Sequence, residues 1–241
     1  MTQLAFAGVV DTAPFSPDAR WVDLPLVSLD LETTGPDPAT ARLLEVAAIR
    51  FARGQPLDRW SSLVSPGCEI PAEASAIHGI TAETLRGVGG LDAPSSELED
   101  PETGEALSVG HEVAARLAGR VVVGYNVLRY DLPVLDRELA AVRCARPPAP
   151  VIDVLVWIRK LDRFVAGKGR HRLEATARRH GVKMPPTHRA LADAEVAIRL
   201  LAAIRTELPE RLGELVQEQA RLAREQDEEF ERWRSRAGVS A

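Results

Sequence analysis

The segment Leu24 to Leu31, LPLVSLDL, constrains this chain more than any other. It is short and apolar, and Thr33-Thr34-Gly35-Pro36 follows it, so it reads as a strand buried in a sheet and ending in a turn. Asp30 and Glu32 stand at i and i+2 near its end, a spacing that puts both carboxylates on one face. Adjacent carboxylates repel, and burial of the strand adds a desolvation cost. Acidic pairs on exposed strands are common and carry no message. Here Val27, Leu29 and Leu31 hold the strand in the core, so the pair calls for a counter-charge. Oxygen ligands without Cys or clustered His suit magnesium or manganese rather than zinc. The pair alone leaves a metal site and an ordinary acidic strand end both open.

Leu43 to Phe51 and Leu57 to Val64 read as two more strands, joined across Arg53-Gly54-Gln55-Pro56 as a hairpin. Val121 to Gly124 is a short buried strand, and Val151 to Leu155 a last strand running into a helix. Helical spacing covers His111 to Leu117, Leu132 to Ala141, Leu173 to His180 and Ala190 to Ile204. Strands first, then strands alternating with helices, predict an α/β domain with a mixed sheet. Residues 1–23 form a lead-in with a short helix near Pro17 to Val22. The main domain spans residues 24–207. Within it, Gly87 to Gly110 has six acids and no base among Gly, Pro and Ser, which predicts a mobile acidic loop. Residues 208–241 form an extension in which Pro209 to Arg236 reads as a long amphipathic helix. That helix either packs on its own domain or serves docking or dimerisation.

No apolar run reaches 18 residues, which excludes a membrane-spanning helix. The N-terminus lacks the basic region of a secretory signal. Cys68 and Cys144 form no CxxC pair, so neither a zinc site nor a disulfide scaffold is expected, and a reducing cytoplasm fits. The formal net charge of -5 argues against nucleic-acid binding. Its distribution argues the other way: Arg159 to Arg189 holds ten Lys or Arg against Asp162 and Glu174. A basic stretch in an acidic chain attracts a polyanion locally.

Two further segments carry isolated carboxylates. In VVVGYNVLRYDLPVL (Val121 to Leu135), Asp131 stands at the start of a helix, where on its own it reads as a helix-end carboxylate. In HRALAD (His188 to Asp193), Pro185-Pro186 ends any earlier helix, Thr187 can cap the next, and Asp193 lies in that helix's first two turns. His188, five residues earlier, is offset by about 140° around a regular helix, so it must swing in from the helix start to share a site with Asp193.

Together these segments resemble the DEDDh 3′–5′ exonucleases, the family of polymerase proofreading subunits and RNase T-like enzymes. The resemblance covers Leu24 to Ile204. It rests on Asp30 and Glu32 in LDLETTG, Asp131 in GYNVLRYDLPVL, His188 and Asp193 in HRALADAEVA, and IHGIT at Ile77 to Thr81. Tyr125 stands where the family often has His, and Tyr130 where it often has Phe. The resemblance implies a ribonuclease H-like fold with a mixed five-stranded sheet flanked by helices. It implies two Mg2+ or Mn2+ ions held by Asp30, Glu32, Asp131 and Asp193, with His188 as general base taking a proton from the attacking water. It implies that Thr33, Thr34, Gly35 and His78 seat the terminal nucleotide and that Asn126 orients the second motif. Tyr125 and Tyr130 are candidate stacking surfaces for a single strand, but a place as buried core aromatics is the reading favoured for them. The substrate implied is the 3′ end of single-stranded DNA, released as nucleoside 5′-monophosphates. RNA trimming is the alternative, and a non-catalytic nucleic-acid-binding module is a third reading. A homodimer or a polymerase is a candidate partner.

Overall fold

The computed structural model describes residues 12–165, 167, 169–185 and 189–237. A short 3-10 turn, Trp21–Asp23, leads into β1 (Leu26–Thr33). β2 (Leu43–Ala52) returns antiparallel to it. Arg53 and Gly54, both at positive φ, then turn the chain into β3 (Gln55–Leu63), and Gly54 makes that left-handed turn at little steric cost. α1 (Ala72–His78) is seven residues long, too short to declare itself by helical periodicity.

The segment expected to be a mobile loop is structured. β4 (Pro94–Glu99) and β5 (Ala106–Ser108) pair as an antiparallel hairpin. Asp100 closes its turn, accepting the Glu102 and Thr103 N–H groups at 2.8 and 3.0 Å. Composition misleads here because the hairpin is held from outside. α2 (Val109–Leu117) presents a fully buried Glu112 to Ser95 and to Arg116. Arg116 also binds Glu97 at 2.8 Å and Asp58 at 3.1 Å and stacks over Trp60. A guanidinium serving three carboxylates over an aromatic face keeps this polar cluster satisfied as it is buried.

The remaining elements alternate as expected. They are β6 (Val121–Gly124), α3 (Asp131–Ala141), β7 (Val151–Asp153), α4 (Val154–Leu161), α5 (Leu173–Arg179), α6 (Ala190–Ile204) and α7 (Leu212–Ala237). The main sheet has five strands in the order β3-β2-β1-β6-β7, with β6 and β7 parallel to β1. Alternation within the strands divides the core. Leu26, Ile49, Val121, Val123 and Ile152 pack with α4, α6 and α7 on one face. Val27, Leu29, Leu31, Val122 and Val151 pack with α2 and α3 on the other. Asp30 and Glu32 share the parity of Leu26 and Ser28 and therefore face α6.

The first half of α7 packs on the domain, burying Leu212, Leu215, Val216, Leu222 and Ala223, while Phe230 and Trp233 at its far end are exposed. The described part of the lead-in joins the same assembly. Trp21 is buried and donates its indole N–H to the Pro209 carbonyl at 2.9 Å. Gly213 comes so close to Pro17 that a Cβ there would lie 2.8 Å from the proline ring. No helix among the described residues is long and apolar enough to cross a membrane.

Candidate active site

Three of the expected carboxylates meet at the end of β1. Asp30, Glu32 and Asp193 each offer an oxygen, and all three oxygens lie within 4.8 Å of one another. The first two come from one strand face and the third from the first turn of α6. Two contacts fix α6 against β1 and β2. Ser28 donates its hydroxyl to the Ala194 carbonyl at 2.7 Å. Glu45, cross-strand neighbour of Glu32, accepts both forks of Arg189 at 2.8 Å and the Ala190 N–H at 3.2 Å. A bidentate Arg–carboxylate pair defines both distance and orientation, so it sets where the helix starts and thus where Asp193 points.

Asp131, the fourth expected carboxylate, is buried beside this group. β6 is shorter than β1 and pairs with it only from Leu26 to Ser28, so the Leu31 N–H faces no strand. Asp131 Oδ1 accepts that N–H at 3.1 Å. A carboxylate thus replaces the missing strand and is held alongside Asp30.

The electrostatics are those of an acidic cluster in tension. Burial first, and then Asp131, Asp193, Glu32 and Glu45, push the Asp30 carboxyl well above the usual carboxylate range. Burial, with Asp193, Glu45 and Asp131, pushes Glu32 up to about 8 against the pull of Arg189. Burial and the Asp153 charge raise Asp131, opposed by backbone N–H groups including that of Leu31. A set of oxygen donors forced toward protonation fits a hard divalent cation, whose charge removes the cause of the shifts.

His188 lies outside the described residues, as do Pro186 and Thr187; its neighbours Arg189 and Asp193 are placed as above. The side chains of Thr33 and Thr34 are engaged within their own turn. Thr33 donates to the Gly35 carbonyl at 3.0 Å, and Thr34 Oγ1 accepts the Arg42 N–H at 2.9 Å. A Cβ at Gly35 would meet nothing within 4 Å. His78 is buried at the end of α1 and its Nδ1 accepts the Ile80 N–H at 3.0 Å. Burial lowers its pKa, while the Thr33 backbone and Glu45 pull the other way, which puts the ring near both. Asn126 heads the second-motif turn at φ +68°, and its N–H goes to Asp153 at 3.0 Å.

The structure bears on two further expectations. Tyr125 and Tyr130 are half-buried and tied by their hydroxyls, Tyr125 to the His171 carbonyl and Thr176, Tyr130 to the Gly35 carbonyl and Thr33. They serve as struts rather than open stacking faces. The basic stretch is also partly neutralised: Arg179 and His180 meet Asp162, Arg178 meets Glu174, Lys160 meets Glu218 and Arg189 meets Glu45. Arg163, Arg170, Arg172 and Lys183 are exposed and have no carboxylate partner among the described residues.

Two acidic residues around the site went unread in the sequence. Glu45 sits mid-strand and Asp153 ends β7, and the partners of both are far away along the chain. The one local signal was Asp153 itself, an acid closing an apolar strand as Asp30 nearly closes β1.

Comparison with known proteins agrees with this geometry. The exonuclease family model, RNase T, matches residues 27–201. The DNA polymerase III epsilon subunit of Treponema pallidum is 28% identical over 181 residues, covering 73% of this chain and 74% of that protein. The PolC-type DNA polymerase III of Thermotoga maritima is 28% identical over 185 residues, covering 77% of this chain; the chain spans only 12% of that polymerase's length. E. coli exonuclease I, solved in complex with a dT13 oligonucleotide, superposes with a TM-score of 0.61 at 19% identity, over 76% of this chain and 41% of that one. The likeness to exonuclease I is one of fold. With the matched family model spanning β1 to α6 and all the placed carboxylates inside it, the chain belongs to the exonuclease family and carries a 3′–5′ exonuclease domain.

Proposed function

We propose that this enzyme removes nucleotides from the 3′ end of single-stranded DNA by hydrolysis, releasing nucleoside 5′-monophosphates, with two Mg2+ or Mn2+ ions. The convergence of Asp30, Glu32 and Asp193 within 4.8 Å, with Asp131 fastened beside them, carries this reading. Bound divalent ions supply charge stabilisation for the attacking and leaving oxygens of an in-line displacement. The chain's own residues do the rest. Asp30, Glu32, Asp131 and Asp193 hold the ions. His188 takes the proton of the attacking water, a task to which an imidazole is suited near neutral pH. The Thr33–Gly35 turn and His78 seat the terminal nucleotide, and Asn126 shapes the second-motif turn. Arg163, Arg170, Arg172 and Lys183 attract the phosphates without reading sequence.

The epsilon-subunit relatives support action alongside a polymerase, and the oligonucleotide bound by exonuclease I supports single-stranded DNA over RNA. Two free thiols, Cys68 and Cys144, suit a cytoplasmic setting. The domain layout that accompanies this reading is a catalytic body over residues 24–207, with residues 1–23 and 208–241 as flanking segments. A homodimer through the C-terminal helix is the competing partner arrangement, tested by light scattering of the full chain.

A 5′-labelled single strand should yield a descending ladder with magnesium or manganese and stay intact with chelator. Matched DNA and RNA strands, digested side by side, should show DNA degraded faster; faster loss of RNA would reassign the substrate. His188→Ala should cut turnover at least a hundredfold, on the scale of general-base catalysis, with metal binding unchanged by calorimetry. An unaltered rate would remove His188 from the base role.

A further inference from the structure

The helix α7 begins eleven residues after the family-matched region ends, yet it reaches the active site through a buried amide. Gln219 on α7 is fully buried. Its Oε1 accepts the Asp153 N–H at 2.8 Å and the Trp157 indole N–H at 3.1 Å, and its Nε2 donates to the Val151 carbonyl at 2.9 Å. β7 is the edge strand of the sheet, so the Val151 carbonyl and the Asp153 N–H are backbone groups with no strand beyond to pair them. One planar side-chain amide, acceptor and donor together, does for β7 what a further strand would do.

Asp153 passes this anchorage on. Its Oδ1 accepts the Asn126 N–H and its Oδ2 the Leu128 N–H, both at 3.0 Å, which fastens the start of the turn between β6 and α3. The Asn126 carbonyl then accepts the Tyr130 N–H at 3.0 Å, and Asp131 follows as the first residue of α3. A second tie reaches the same turn: Arg129 donates to the Ala223 carbonyl at 3.2 Å and pairs with Asp227, both on α7.

We propose that Gln219 is a positioning residue for catalysis: through Asp153 it sets the 126–131 turn and with it the Asp131 carboxylate, which makes α7 part of the active-site scaffold. A six-residue turn left to itself would let Asp131 drift relative to Asp30, and ligand groups lose affinity and activity when their supporting hydrogen bonds go. Glutamate at 219 could accept the two N–H groups but not donate to Val151, and it would add a charge beside Asp153. Leucine would abandon all three bonds.

The proposal rests on the carboxylate reading above, and the experiment separates the two. Full-length Gln219→Leu is compared with wild type and with Leu222→Ala, a core truncation on the same helix that lowers Tm without touching the relay. Mn2+ binding is measured by calorimetry, and kcat and KM on a labelled DNA strand are measured well below Tm. We expect Gln219→Leu to lose about tenfold or more in Mn2+ affinity and in kcat with KM for the strand unchanged, and Leu222→Ala to lose neither. Equal losses in the two variants, or no loss in a folded Gln219→Leu, would overturn the proposal. Should Gln219→Leu not fold, Gln219→Glu serves instead, since it keeps the shape and the acceptor but loses the donation to Val151 and adds a charge beside Asp153: a few-fold fall in Mn2+ affinity supports the relay, and none overturns it. A wild-type chain that binds Mn2+ but cleaves nothing would defeat the exonuclease reading while leaving the Gln219 comparison valid.

Discussion

Asp30→Asn should abolish turnover while making the metal-free protein more stable. The two effects have one cause. Asp30 is pressed by burial and by four acidic neighbours. Asparagine keeps the shape and removes the charge. Without ions this relieves repulsion, and Tm should rise by about 2–4 °C per kcal/mol relieved. With ions, a charged ligand is lost where several kcal/mol of transition-state stabilisation originate. At about 1.4 kcal/mol per decade, turnover should fall about a thousandfold or more. Thermal melts in chelator and single-turnover digestion in magnesium check both halves. A variant of unchanged rate, or one that melts lower than wild type in chelator, would contradict the view of the cluster as a charge trap for cations.

The same tension makes metal binding a proton-releasing event. Glu32 titrates at about 8 in the folded protein against an ordinary 4.5, and Asp30 and Asp131 are raised as well. Between those values the folded, metal-free chain binds protons that the unfolded chain has shed, so its stability falls as pH rises from about 4.5 through 8. Saturating magnesium should displace these protons and flatten the slope. At a hundred times its dissociation constant the ion adds about 2.7 kcal/mol of stability, enough to raise Tm at pH 8 by about 5–10 °C. Calorimetry at pH 7 in two buffers of different ionisation enthalpy should show at least one proton released per protein molecule. A melting temperature independent of pH from 6 to 8.5 in chelator, with no buffer dependence of the binding heat, would refute the linkage.

What could be read in the chain and what could not divides along physical lines. Asp30 and Glu32 were legible because their apolar neighbours gave away burial, and burial made two adjacent charges costly. Asp131 and Asp193 were legible only by their order after that pair, since each alone passes for a helix-end acid. The main-sheet strands and most helices followed from periodicity, with α3 starting one residue earlier and α7 three residues later than expected. Glu45, Asp153 and Gln219 were illegible because their roles lie in partners 144, 27 and 66 residues away. The β4–β5 hairpin failed for the same reason: Ser and Glu look like loop until Arg116 and Glu112 are set beneath them. The count of basic residues from Arg159 to Arg189 does not reveal that several of them pair with acids just past α4 and on α5, α7 and β2.

The seat of α6 on β1 has a consequence for how the molecule comes apart. Ser28 and Glu45 tie the helix that carries Asp193 to the two central strands, and Ala194, Val196 and Leu200 bury its inner side completely or nearly so. No small opening can lift Asp193 away while the sheet stays closed, because the same residues that would have to separate form the core. Asp193, with Asp30 and Glu32 on β1, is therefore expected in the last cooperative unit to open rather than in the fraying parts of the chain. Hydrogen exchange should therefore show the α6 amides around Asp193 opening only with the sheet, so that Asp193 leaves the site when the fold itself is lost.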